Sequence, residues 1–201
     1  MTLQRYIITE ILKPAAAILI VLVIILASYS AITYLADALA IARLAAMMGC
    51  RRVQLHGDIT AGEVRRLKEA DAGFYVIKAL VVRPGNLDEL LNGLRDFAPF
   101  VNAFITDTWD PQTGARGATG KTHDWKASRR IVESAIRPVI LAGGLTAANV
   151  GSAIVQVRPA GVDSHTGVEA SDGAKDPALV RAFVEESRRA FALLKRNDAA
   201  S

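Results

Sequence analysis

Two regimes of hydrophobic patterning divide the chain. From Pro14 to Ala36 the run "PAAAILIVLVIILASYSAITYLA" holds 23 positions without a charged residue. A bilayer core takes roughly 20 apolar helical residues, so the run is long enough to cross one. A buried core helix would keep a polar face, and this run has none for several turns. The small residues of "ASYSA" leave a cleaved signal peptide as the alternative. Length argues against it, because signal-peptide apolar regions run only ~7–15 residues. Residues 1–41 are therefore expected to form a membrane-spanning or signal-like helix and 42–201 a separate unit. Arg5 and Lys13 precede the span and Arg43, Arg51 and Arg52 follow it, so positive charge selects no side.

Beyond Ala42 short β-branched runs alternate with longer helical patterns. "RVQLHG" reads as a strand ended by Gly57, and Thr60 with Glu63 has capping-box spacing for a helix to about Ala70. "FYVIKAL" is a second strand. Asn86 is then set to cap a helix whose Leu87, Leu90, Leu91 and Leu94 share one face. "VNAFITDT" is a third strand, followed by a long polar loop and a helix capped by Asp124, running to about Ile136. "PVILAGG" is a fourth strand, with Thr146 capping a short helix to Val157, and "AGVDSHTG" a fifth. The last helix opens on Asp176 and Pro177, with Leu179, Phe183, Ala190 and Leu194 on its apolar face. Such alternation predicts βαβ units and a parallel sheet. Polar or glycine-rich residues follow the C-terminal end of nearly every strand, the face on which (β/α)8 barrels carry their sites.

Composition changes this picture little. The chain is 51% hydrophobic with a net charge of +4, and its basic residues stand singly or in pairs among acids. That pattern is a solvated surface; no nucleic-acid stripe is present. One cysteine, Cys50, allows no internal disulfide, and the three histidines (His56, His123, His165) lie far apart, so no metal site is indicated. No cofactor is expected.

One loop poses a specific question. "ARGATGKT", Ala115 to Thr122, lies one residue from the phosphate-cradling G-x-x-x-x-G-K-[ST] pattern. A phosphate loop of that kind follows its strand directly, whereas "TWDPQTG" intervenes here and the first position is alanine. A nucleoside triphosphatase is not indicated.

The segments "VQLHGD", "FITDTWDP", "GATGKTHDW", "VILAGGLTAANV" and "VRPAGVDSHTGVE" occur together, in an order and spacing that resemble the phosphoribosylanthranilate isomerase family. The resemblance covers about Ala42 to Lys195. It implies a partial (β/α)8 TIM barrel, an α/β fold comprising strands four to eight, and the apolar run before it adds one transmembrane helix. It implies an Amadori rearrangement in tryptophan biosynthesis, in which an aminated ribose ring opens and an aldose becomes a ketose. Asp107 matches the family's general acid, and Ile105 and Trp109 would raise its pKa by enclosing it. Gln54 and His56 would face the site from the first strand present, with His56 a candidate base. Gly143, Gly144, Thr166, Gly167 and Val168 match loops that would present backbone N–H groups to the substrate's phosphate.

The family's cysteine base and carboxylate-binding arginine have no counterpart, and three strands are missing. A complementary barrel fragment is therefore an expected partner, beside the phosphorylated ribose substrate and the membrane. A non-catalytic phosphate-binding remnant and a permease fragment are the alternatives. The latter rests on Leu3 to Ala38, which weakly resembles the start of the lipopolysaccharide-export permeases. The expected location is membrane-anchored, with the barrel portion cytoplasmic.

Overall fold

A computed structural model describes residues 38–109 and 122–199. The apolar run Pro14–Ala36 lies outside them, as does the loop core Asp110–Lys121. Among the described residues no helix is long and apolar enough to cross a membrane, so the expected anchor gains no support from the fold.

The described chain alternates as expected, after one helix that the pattern did not anticipate. That helix is α1 (Ala38–Met47) and runs across the expected 41/42 division. Then come β1 (Arg52–Leu55), α2 (Ala61–Ala70), β2 (Tyr75–Val82), α3 (Leu87–Phe97) and β3 (Ala103–Thr108). They are followed by α4 (Trp125–Ser134), β4 (Val139–Leu141), α5 (Val150–Val157), β5 (Gly161–Val162) and α6 (Pro177–Ala199). A 3-10 turn, Thr166–Val168, separates β5 from α6. The five strands form one sheet in the order β1-β2-β3-β4-β5, every neighbouring pair parallel. Parallel neighbours need a crossover between them, and the helices supply each one.

Local signals set several boundaries. The capping box at α2 forms as spaced: Glu63 N–H donates to Thr60 Oγ1 at 3.3 Å and Thr60 N–H to Glu63 Oε2 at 3.0 Å. Asp124 accepts from Lys126 N–H at 2.8 Å, and Asp176 from Ala178 N–H at 2.7 Å, each opening its helix. Other expectations need correction. Asn86 precedes α3 but makes no capping bond; it donates to the Val81 carbonyl and accepts from Arg83 N–H, tying the strand end. Asn149, not Thr146, is the residue before α5, because Thr146 and Asn149 close a turn of their own. The fifth strand keeps only two paired residues before the chain turns into the 3-10 turn. Leu179 is exposed, while Phe183 and Ala190 of the same expected face are buried.

Side chains alternate across a strand, so each strand has a helix face and an opposite face. On the helix face Val76, Leu80 and Val82 of β2 pack with Val64 and Leu67 of α2, Leu94 of α3 and Ile131 of α4 in one buried cluster. A second cluster joins Leu141, Val150, Ile154 and Val157 to Phe183 and Ala190 of α6. The opposite face is sparser, with Ala79, Ile105 and Ala142 buried and Ile77 and Ile140 packed against them. Two of its residues, Ala79 and Ala142, are alanines that take up little space beside the isoleucines.

Candidate active site

Strand register puts the expected residues on that sparser face. Gln54 pairs with Ile77, so His56, two residues on, stands level with Ala79; Ala79 pairs with Ile105, and Val81 with Asp107. Ile105 pairs with Ile140, which pairs with Gly161, so Asp107, Ala142 and Asp163 form the next row. β1 and β3 are not neighbours. His56 nevertheless reaches across β2, where the intervening Ala79 is small, to bring its Nδ1 to 3.9 Å from Asp107 Oδ2.

The two groups have opposite electrostatic biases. Burial pushes the Asp107 carboxyl above the ordinary carboxylate value; the N–H of Thr108 (2.8 Å to Oδ1) and His56 pull the other way, and Asp163 adds to the rise. Burial pushes His56 below the ordinary imidazole value, Asp107 opposes this, and Lys78 reinforces it. The pair therefore favours a neutral imidazole beside a carboxyl that resists ionisation. Gln54 Nε2 donates to His56 Nε2 at 2.7 Å, so the neutral ring carries its proton on Nδ1, toward Asp107.

The glycine loops lie beside this pair and interlock. Gly143 and Gly144 follow β4, both at positive φ (107° and 61°). A Cβ on Gly143 would run into Thr108 Oγ1 and lie 3.1 Å from His123 Nδ1, so only glycine lets the loop close on the residue after Asp107. Gly167 lies against the Leu145 carbonyl, which also accepts from Ser164 Oγ at 2.6 Å. Among the described residues no backbone carbonyl takes the N–H groups of Gly143, Gly144, Thr166 or Gly167. Val168 is buried, so it serves packing as well as the turn.

Three residues here escaped the sequence reading. Asp163 was legible only as part of a strand run, and its place in the Asp107 row follows from register. Lys78 is buried within "FYVIKAL", where a charge on the helix face was the available signal. His123 clasps two elements: its Nδ1 lies 2.9 Å from Thr108 Oγ1 and its Nε2 lies 2.6 Å from Ser128 Oγ on α4. Hydroxyls donate or accept, so the neutral ring that burial favours is satisfied at both nitrogens, one donating and the other accepting.

Burial holds His123 at about 4, against an ordinary 6.5. A folded value below the unfolded one gives stability that is present above the unfolded pKa and lost as pH falls through the folded one. Stability should therefore drop between pH 6.5 and pH 4, by roughly 3 kcal/mol at full extent. Denaturant melts across that window, beside a His123→Asn variant with a shallower slope, check this. An equal slope in the two proteins would remove His123 as its source.

The family model for N-(5'-phosphoribosyl)anthranilate isomerase matches residues 32–186. The chain belongs to the phosphoribosylanthranilate isomerase family. It is 41% identical over 161 residues to N-(5'-phosphoribosyl)anthranilate isomerase 2 of Methanosarcina mazei, covering 80% of this chain and 70% of the relative. With the Haloferax volcanii isomerase it shares 44% identity over 147 residues, 73% of this chain and 62% of that one. Among solved structures, the isomerase of Pyrococcus furiosus superposes with a TM-score of 0.60 at 30% identity, over 77% of this chain and 70% of the other. A phosphoribosylanthranilate isomerase in complex with reduced 1-(o-carboxyphenylamino)-1-deoxyribulose 5-phosphate superposes with a TM-score of 0.59 at 28% identity, over 78% of this chain and 68% of that one. None of these similarities supports a permease, and the stretch it rested on lies almost wholly outside the described residues.

Proposed function

We propose that this family member catalyses the Amadori rearrangement of N-(5'-phosphoribosyl)anthranilate, the reaction for which its relatives are named. The observation that carries the reading is the facing pair His56 and Asp107 at 3.9 Å, oppositely biased, at the C-terminal ends of parallel strands. Active sites of parallel barrels occupy that face.

The chemistry needs one acid and one base. Asp107, protonated, gives its proton to the ribose ring oxygen as the C1–O bond breaks and the anilino nitrogen forms an iminium. His56, neutral, takes the proton from C2 on Nε2, which gives up the Gln54 N–H as substrate arrives, and the C–H electrons form the C1–C2 double bond of an enolamine. Transfer of the C2 hydroxyl proton to C1 then gives the ketose. The proton gained by His56 equals the one lost by Asp107, and their separation lets the pair reset without a cofactor. His56 stands here as the base because burial favours its neutral imidazole beside Asp107.

Gly143, Gly144 and the Thr166–Val168 turn supply the phosphate cradle in this reading, supported by the N–H groups left without backbone acceptors. The bound phosphorylated ligand of a related structure is consistent with it. The five sequential strands, in a chain spanning 62% to 70% of the two relatives' lengths, support reading the sheet as the C-terminal portion of the family's barrel.

The test is loss of anthranilate fluorescence when the purified full chain meets phosphoribosylanthranilate, with the ketose distinguished from its aldose isomer by NMR. Turnover that His56→Gln lowers by about 10²-fold supports the pair as written. A folded chain without turnover, yet thermally protected by phosphorylated ribose, would leave a binding remnant in place of an enzyme.

A further inference from the structure

Lys78 contradicts its surroundings. It sits mid-strand on the helix face of β2, 5% exposed, between Val76 and Leu80 of the main apolar cluster. A lysine in such a layer costs stability unless its ammonium finds partners. Its Nζ donates to the Gly57 carbonyl at 3.1 Å and to the Ala79 carbonyl at 2.8 Å, and lies 5.5 Å from the centroid of the Phe97 ring on α3. Both carbonyls matter to the site. Gly57 follows His56 directly and turns at positive φ (73°), while Ala79 is the small residue over which His56 reaches Asp107. The lysine therefore stands behind the sheet at the point where the imidazole crosses in front of it.

We propose that Lys78 is a positioning residue for His56: its ammonium pins the turn after β1 to β2 and sets a fixed positive charge behind the imidazole. This rests on His56 acting as the base of the proposed reaction. A base must be unprotonated when substrate arrives, and a cation close behind it disfavours a second one. Burial lowers Lys78 itself to about 8, with Asp58 working against the fall, so near neutral pH it still carries its charge. The charged groups that act on His56 are then Asp107 from β3, which favours protonation, and Lys78 from β2, which opposes it. Asp163 beside Asp107 and Asp58 beside Lys78 act one step further out.

The experiment is a titration of the His56 ring by NMR in the full chain, its resonances assigned by their loss in His56→Gln. In the wild-type protein His56 should titrate below the ordinary histidine range and show a second inflection near pH 8, as Lys78 gives up its proton. In Lys78→Met the second inflection should vanish and the main titration should move to higher pH. The acid limb of kcat/KM should move up with it, KM changing little. An unchanged His56 titration in a folded Lys78→Met variant overturns the proposal, even if its melting temperature shifts. Should that variant not fold, the wild-type curve decides alone, since a single inflection there also overturns it. The two titrations need no turnover: an inactive chain with a coupled titration would refute the proposed reaction and leave only the electrostatic coupling of Lys78 to His56 standing.

Discussion

Asp107→Asn should lower kcat/KM by about 10²- to 10⁴-fold, the range that a positioned proton donor contributes. Asparagine keeps the shape, and its amide oxygen can still accept the Thr108 N–H that Asp107 Oδ1 takes at 2.8 Å. What it lacks is a proton to give the ring oxygen. Stability should move the other way. Burial raises the Asp107 pKa, so its favourable contribution belongs to the protonated form and is lost as pH rises through the folded value. At neutral pH a neutral amide removes that cost, and the variant should melt at or above the wild-type temperature. Lost activity with undiminished stability would mark a group held against its preference for the sake of chemistry. Steady-state kinetics and thermal melts on the two proteins decide it, and a variant that turns over normally would end the assignment of Asp107 as the acid.

Gly167→Ala should be the most destabilising of the small substitutions in the glycine loops. The added Cβ would run into the Leu145 carbonyl oxygen and stand 2.9 Å from its carbon and from Ser164 Oγ. Backbone cannot swing aside as a side-chain tip can, so the turn after β5 and the loop after β4 must part. The expected cost is about 3 kcal/mol. Affinity for a phosphorylated ribose should fall at least tenfold, because the two loops that form the proposed cradle separate. Gly93→Ala is the control. Its Cβ meets nothing within 4 Å on α3, and alanine in a helix interior should stabilise by roughly 0.5–1 kcal/mol. Denaturant titrations give both values, and thermal shift with ribose 5-phosphate gives the affinity. Equal stability of the two variants would mean that the loops do not depend on that contact.

The parts of the site legible in the sequence were those attached to a strand end. "VQLHG", "ITDT" and "LAGG" each end a β-branched run with a polar or glycine residue, and the structure brings His56, Asp107 and Gly143 to the same end of one sheet. Asp163 was not singled out because its strand keeps only two paired residues, too few to show period-2 alternation. His123 entered the sequence pattern only as one of three histidines too far apart to hold a metal. The relevant neighbours, Thr108 and Ser128, carry hydroxyls, a residue type too common for spacing to pick out.

The sequence by itself determined whatever acts over a few residues. The Thr60–Glu63 box, the Asp124 and Asp176 caps and the alternation of strand and helix are local bonds and local periods, and they form as spaced. Asn86 and Asn149 also bond locally, but each closes its own turn on residues three to five positions back in place of capping the helix that follows. Tertiary structure alone decided what meets across strands. Register set His56 against Asp107 over Ala79, turned Lys78 to the buried face behind them, and closed Gly143 onto Thr108. Those contacts join distant segments, and their electrostatic effects come from burial, which no single stretch of chain can report before the layers are packed.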